Sequence, residues 1–257
     1  MKKPMVSIIM NCHNGGIFLR QSITSILNQS YENCELIFYD NCSSDNSKQI
    51  IEKFKDNRIK YFKSKIFLNL YHARNNAIKK AKGKYIAFLD TDDWWKKNKL
   101  QEQIKFLKKN KNVKILYTNC YIYRQNTKTK KLLLNKLYSG MIASELLKNY
   151  FITILTVIVK KDVFKNNKFD KRYNIIGDFD FFSRLSLKYP IYCIEKPLAY
   201  FRAHNNNYSI LKKNDYISEL KFWIKKNNIR FKRKKINMFH PWITIKKLQI
   251  KNLFNID

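Results

Sequence analysis

Lys84-Tyr85-Ile86-Ala87-Phe88-Leu89-Asp90-Thr91-Asp92-Asp93-Trp94-Trp95 is an apolar run that stops abruptly in three carboxylates. Tyr85 to Leu89 is too short for a helix, is rich in aromatic and aliphatic residues and follows Gly83, so it predicts a buried strand. The acids then stand at a strand's C-terminal end, where open α/β sheets bind ligands. Asp-X-Asp places two carboxylates on the same side of an extended chain, where they can share a hard divalent cation. Taken alone, such a triplet is more often a solvated acidic turn capping the next helix, here one starting near Lys96. The flanking sequence has to decide.

Upstream, 5–10 is a β-branched strand that runs into the polar loop Asn11-Cys12-His13-Asn14-Gly15-Gly16 and a helix over 18–27. A second strand over 35–39 ends in Asp40-Asn41-Cys42-Ser43-Ser44-Asp45-Asn46-Ser47, dense in capping side chains, before a helix over 48–54. A short strand over 58–62 and a helix over 71–81, with Ala73, Ala77 and Ala81 on one face, complete the alternation. Strict alternation predicts an α/β fold with a mainly parallel central sheet flanked by helices. Downstream come a helix over 96–108 and a strand over 113–118. A basic stretch over 125–136 reads as a mobile loop, and the run 151–159 as a buried strand. A helix begins at Gly177-Asp178-Phe179-Asp180 with acids near its N-terminus, followed by two short strands over 191–194 and 198–201. The compact domain is expected to span 1–207. Residues 208–257 form a basic, aromatic-rich helical extension containing Phe222, Trp223, Phe231, Phe239, Trp242 and Phe254.

The totals narrow the function classes. A length of 257 residues suits one α/β domain with an appendage. A net charge of +33 would ordinarily suggest nucleic acid, but Lys, Asn and Ile are abundant throughout and no nucleic-acid-binding motif stands out. No nucleic-acid partner is expected. Five cysteines without a C-x-x-C pair read as reduced thiols. No apolar run reaches the ~18 to 20 residues of a membrane span, and no cleavable leader is visible, so the expectation is a cytoplasmic protein. Five glycines leave room for neither G-x-G-x-x-G nor a P-loop, which disfavours dinucleotide oxidoreductases and P-loop NTPases.

Five segments carry polar residues at the ends of predicted elements. They are 6–14, 37–45, Ala73-Arg74-Asn75, 88–93 and Gly177-Asp178-Phe179-Asp180 with Arg184, joined by a weaker sixth, Tyr200-Phe201-Arg202-Ala203-His204. In this order the chain resembles family 2 of the glycosyltransferases, inverting enzymes with the GT-A fold, over roughly residues 5 to 207. The resemblance implies that Asp40 accepts a nucleobase imide N–H, with a helix N-cap as the alternative role for its carboxylate. It places Asn11, His13, Asn41, Arg74 and Thr91 at the nucleotide. Asn11 and His13 stand where the family normally has Thr and Tyr. Asp90 and Asp92, joined by His204, would hold Mg²⁺ or Mn²⁺ against the donor diphosphate. Asp178 matches the general base that deprotonates the acceptor hydroxyl, and Asp180 is its rival. Gly177 replaces a Glu common in the family. Arg184 reads as a structural or diphosphate-side partner.

The implied activity is a metal-dependent, inverting hexosyl or N-acetylhexosaminyl transfer from a nucleotide sugar, with UDP as the expected nucleotide. The implied acceptor is a hydroxyl of a glycan or lipid-linked glycan in cell-surface assembly. The competing reading is a catalytically idle domain that binds nucleotide sugars or anionic polymers. The basic tail adds the expectation of peripheral contact with an anionic membrane surface at the inner face of the cytoplasmic membrane.

Overall fold

The computed structural model describes residues 3–207 and 211–253. β1 (Val6–Cys12), β2 (Cys34–Asp40), β3 (Ile59–Lys63) and β4 (Tyr85–Phe88) pair in parallel, with Cys12 opposite Asp40 and Ile9 opposite Phe88. This register brings the loops after β1, β2 and β4 to one edge. The sheet continues through β5 (Trp94–Trp95), β6 (Ile115–Arg124), β7 (Thr129–Leu132), β8 (Ile158–Lys160) and β9 (Ile191–Ala203). Its order is β3-β2-β1-β4-β8-β6-β9-β5, with β7 beside β6. The long ladders are parallel. Antiparallel pairing enters through the short ladders of β8, β5 and β7 and makes the sheet mixed.

Helices cover both faces. α1 (Gly16–Leu27) packs one face through Leu19, Ile23 and Ile26, and α4 (Lys99–Lys109) through Leu100, Ile104 and Leu107, spacings that make one apolar stripe per helix. α2 (Ser47–Glu52) adds Ile51 to the same side. The opposite face carries α3 (Leu70–Lys80), α5 (Ala143–Lys148), α6 (Val163–Asn166), α7 (Gly177–Ser186), α8 (Lys213–Arg233) and α9 (Phe239–Leu253). Ala73, Ala77 and Ala81 give α3 a small-residue face that can lie close on the sheet. Asn69 caps α3 by accepting a hydrogen bond from His72 N at 2.8 Å.

Three expectations fail for physical reasons. The run 151–159 is not one strand. Ile154–Thr156 makes a 3₁₀ turn, where Leu155 O accepts from Trp95 Nε1 and Thr156 O from Gln103 Nε2, and only Ile158–Lys160 pairs with the sheet. Burial explains the apolar composition without a ladder. The segment 125–136 contains β7, an exposed antiparallel edge strand whose polar side chains give no alternating signal. The two strands over 191–194 and 198–201 are one, β9, whose pairing with β6 slips near Asn119 opposite Pro197.

The tail is partly core. Trp223 and Phe231 are fully buried, and burying side chains of this size contributes on the order of 2–3 kcal/mol each. Glu219 accepts hydrogen bonds from the backbone N–H groups of Asn174, Ile175 and Ile176. Phe239 and Trp242 remain exposed, at 59% and 47%. Phe254 lies outside the described residues, and residues 208–210 at the expected domain boundary are likewise undescribed. Among the described residues no helix is long and apolar enough to cross a membrane.

Candidate active site

The acidic loop after β4 is held from two sides. From α1, Ser22 Oγ lies 2.7 and 2.6 Å from the carbonyls of Thr91 and Asp93 and shares its one proton between them, and Ser25 Oγ accepts from Trp95 N. From the end of β9, Arg202 N donates to Asp93 Oδ1 at 2.8 Å and Arg202 Nε to Asp92 O at 2.7 Å. Its guanidinium lies between the rings of Phe18 and Trp94, at 4.2 and 4.4 Å. Asp93 is 2% exposed, and burial, with Asp92 and Asp90 nearby, holds its pKa well above the usual carboxylate range. It therefore fixes the loop, while the side chains of Asp90 and Asp92 stay partly exposed.

Those two acids part company. Asp90 Oδ1 accepts from Arg74 Nη2 at 2.8 Å, and Arg74 Nη1 donates to Asp178 Oδ1 at 2.7 Å. Arg74, expected at the nucleotide, is instead 1% exposed, spent on two carboxylates and surrounded by the rings of Tyr71, Phe88 and Phe169. Asp92 Oδ2 stands 3.1 Å from His204 Nε2 and 3.4 Å from Asn207 Nδ2. His204 thus stands beside the acidic loop. Among the described residues no three His, Cys, Asp or Glu side chains form a metal-holding group. Asp92 and His204 supply two donors facing each other. Carboxylate oxygen and imidazole nitrogen are donor types that suit a divalent cation.

Asp178 begins α7, in its first turn. Burial pushes its carboxyl up to about 6; Arg74 opposes that shift and Asp90 adds to it. Its side chain nevertheless stays 21% exposed, an opening that a base needs. Asp180 faces the other way. It is fully buried and accepts from Arg184 at 2.7 Å and from Trp223 Nε1 at 3.1 Å. Gly177 also has a physical cause, because a Cβ there would lie 2.4 Å from the Tyr71 ring. No second carboxylate fits at that position while Tyr71 keeps its place.

The loops after β1 and β2 are laced together. Asn14 Oδ1 accepts from Ser44 N, Ser47 Oγ from Gly15 N and Asp45 Oδ2 from Gly16 N. Asn14 and Cys42 both adopt left-handed backbone, at φ 54° and 59°. Asp40 is 1% exposed and committed, with Oδ1 accepting from Ser43 N and Oδ2 from Tyr61 OH. Asp40 thus caps the turn at Ser43 and not a helix, since the N-cap of α2 is Asn46. Asn41 likewise braces the chain: its amide donates to Leu68 O and accepts from Leu68 N. Asn11 differs, since both its side-chain polar atoms are buried without a partner. His13 Nδ1 lies 3.0 Å from Asn41 O, and its ring meets Phe67 at 4.5 Å. Phe67 is 61% exposed. Sequence reading passed over it, although an apolar pair, Ile66-Phe67, in the polar loop after β3 was the available signal. It also assigned no role to Arg202 or Tyr71, whose partners lie far away in the chain.

A family model described as Glycosyl transferase family 2 matches residues 7–180. The UDP-Glc:alpha-D-GlcNAc-diphosphoundecaprenol beta-1,3-glucosyltransferase WfgD of Escherichia coli is 39% identical over 157 residues, covering 61% of this chain and 60% of that protein. The chain therefore spans under two thirds of that relative's length. Staphylococcus aureus TarS 1-349 in complex with UDP superimposes with a TM-score of 0.70 at 17% identity, covering 96% of this chain and 71% of the other. The mannosyltransferase PcManGT of Pyrobaculum calidifontis, in complex with GDP-Man and Mn2+, gives 0.65 at 15% identity, covering 95% and 70%. Both structural likenesses concern the fold.

Proposed function

The chain belongs to glycosyl transferase family 2, and from that membership we propose that it moves a sugar from a nucleotide-diphosphate donor, with UDP as the nucleotide, to a hydroxyl of a glycan or lipid-linked glycan. The observation that carries this reading is the placing of a partly exposed Asp178, raised by burial to about 6, beside the Asp90 and Asp92 loop, with Arg74 bonded to both Asp178 and Asp90. Asp178 takes the proton of the acceptor hydroxyl as that oxygen attacks the anomeric carbon, and the nucleoside diphosphate departs from the opposite face. One displacement inverts the centre. Arg74 holds the base in place and keeps a positive charge beneath the cleft.

The His13 and Phe67 rings supply faces for the base, and the Asn11 amide a donor and an acceptor. Asp40 keeps lone pairs beyond those taken by Ser43 and Tyr61, and reads an imide N–H once its buried carboxylate is opened to the base. Thr91 contributes as part of the acidic loop. Asp92 and His204, with Asp90 through the oxygen that Arg74 leaves free, would hold Mg²⁺ or Mn²⁺, which when bound supplies charge neutralisation at the leaving diphosphate. The imidazole offers Nε2 to the cation in the tautomer protonated on Nδ1.

The printed name of the E. coli relative describes action on a diphosphoundecaprenol-linked acceptor for that enzyme, which supports working at the cytoplasmic face of a membrane as part of this reading. Exposed Phe239 and Trp242 on α9 provide a peripheral contact for an anionic leaflet. Trp223 and Phe231, being buried, take no part in it. The test of the donor site is thermal shift. UDP with Mn²⁺ should raise the melting temperature, and Asp92→Ala should remove the metal-dependent part of the rise. An undiminished metal response in that variant would overturn the metal assignment, and no response to UDP in the parent would overturn the donor.

A further inference from the structure

A run of depressions follows the α3 side of the molecule, each sharing lining residues with the next. The first, about 420 Å³, is bordered by Ser64, Leu68, His72 and Asn76, and so begins beside the segment that Asn41 braces. His72 and Asn76 also border a second, about 550 Å³. Asn75, Lys79 and Lys168 carry it into a third of about 730 Å³, and Lys82 and Lys161 into a fourth of about 680 Å³. Met5 and Lys84 border the third, which places it at the N-terminal ends of β1 and β4, remote from the acidic loop.

The charge of this run exceeds the background of the chain. Eight of the sixteen residues around the third depression are Lys, whereas the whole chain has 52 Lys and Arg in 257 residues. The neighbouring acids are largely occupied. Asp162 pairs with Lys160, Asp170 with Arg172 and Lys226, and Glu35 accepts from Ser7 and Lys82 N, while Glu32 stands at the far rim. Lys79, Lys82, Lys165 and Lys168 are exposed, and no described carboxylate lies within ion-pair reach of them. Beneath them the floor is apolar, with Ile78 and Phe164. Fixed positive charges over an apolar, concave floor suit a chain of rings that carry anions at their edges and C–H groups on their faces.

We propose that this run binds an acidic polysaccharide, a glycan carrying carboxylate or phosphodiester groups, laid from the rim of the cleft around α3. Binding stands independently of the transferase reading; that the bound chain is the acceptor or the lengthened product rests on it. Concavity favours a flexible chain over a flat lipid surface. Single-stranded nucleic acid would call for exposed aromatic platforms, and the exposed rings of Phe67, Phe222, Phe239 and Trp242 all lie outside these linings.

The test uses the full chain without donor, titrated with polygalacturonate oligomers and, as a neutral control, dextran. Polygalacturonate should bind and be released by salt, because exposed charges are screened within a Debye length of about 8 Å at physiological ionic strength. The quadruple variant K79E/K82E/K165E/K168E should weaken binding at least ~10-fold, while K97E/K105E/K108E/K109E, with the same change in net charge on the opposite side, should stay within ~2-fold. Both should keep the UDP thermal shift, which also reports folding. A Lys→Gln set at the same four positions replaces the first variant if it does not fold. Equal weakening by both sets, or equal binding of dextran, would overturn the proposal by reducing it to net charge or stickiness. Stronger binding of anionic vesicles or of an oligonucleotide than of the glycan would overturn the occupant. Loss of the UDP response in the parent, with polygalacturonate binding intact, would sink the donor reading and leave the track.

Discussion

Asp178 and Asp180 stand two residues apart at the start of one helix and meet opposite surroundings. Asp178 faces Arg74 and the cleft, whereas Asp180 is sealed beneath the tail by Arg184 and Trp223. Two steps along a helix rotate a side chain by roughly 200°, so a motif with acids at i and i+2 points one of them into the core when the other reaches solvent. The tail completes this division, since Trp223 of α8 closes over Asp180 and leaves Asp178 open. Proximity in sequence therefore says little about shared chemistry. A common helix gives the two acids one scaffold and two tasks.

The division can be broken by removing the cation between the acids of the cleft. Arg74→Met leaves Asp178 and Asp90 without their partner and should cost about 3 kcal/mol in urea unfolding, the low end for breaking a buried pair because Asp90 keeps 36% exposure. Gly177→Ala drives a methyl into the Tyr71 ring at the start of the same helix. It should cost roughly 1–3 kcal/mol and lower turnover by displacing Asp178. Unchanged stability would mean that Tyr71 moves aside freely. The pH profile sharpens the division further. A base must be deprotonated to act, and burial raises Asp178 to about 6, so kcat should climb as pH rises through about 6 and level off above. Arg74→Met should move that limb to higher pH, because a lost positive charge favours the protonated carboxyl further. An unmoved limb would assign it to another group.

Much of this arrangement is legible in the chain. β1, β2 and β4 announce themselves as apolar runs that end in polar loops, and parallel register then gathers those loops at one edge. What escaped depends on surroundings that no local pattern encodes. Which of the three adjacent acids is buried is decided by Arg202, which reaches Asp93 from β9. Asp40 and Asn41 look free as sequence, and become structural once Tyr61, Ser43 and Leu68 arrive. β7 lacks alternation because both its faces are exposed, and the apolar 151–159 run owes its composition to burial around a turn.

The most direct test of the division is a paired measurement on Asp178→Asn and Asp180→Asn: turnover per folded molecule with a UDP-sugar donor, alongside the melting temperature. Asp178→Asn should keep donor binding and folding while losing at least ~10²-fold in kcat, the lower end of what a positioned base contributes. Asp180→Asn should lower the melting temperature, because Arg184 and Trp223 lose their acceptor charge, and should retain turnover within a few-fold. The reverse pattern, with Asp180→Asn inactive but fully folded and Asp178→Asn active, would contradict the assignment of the base.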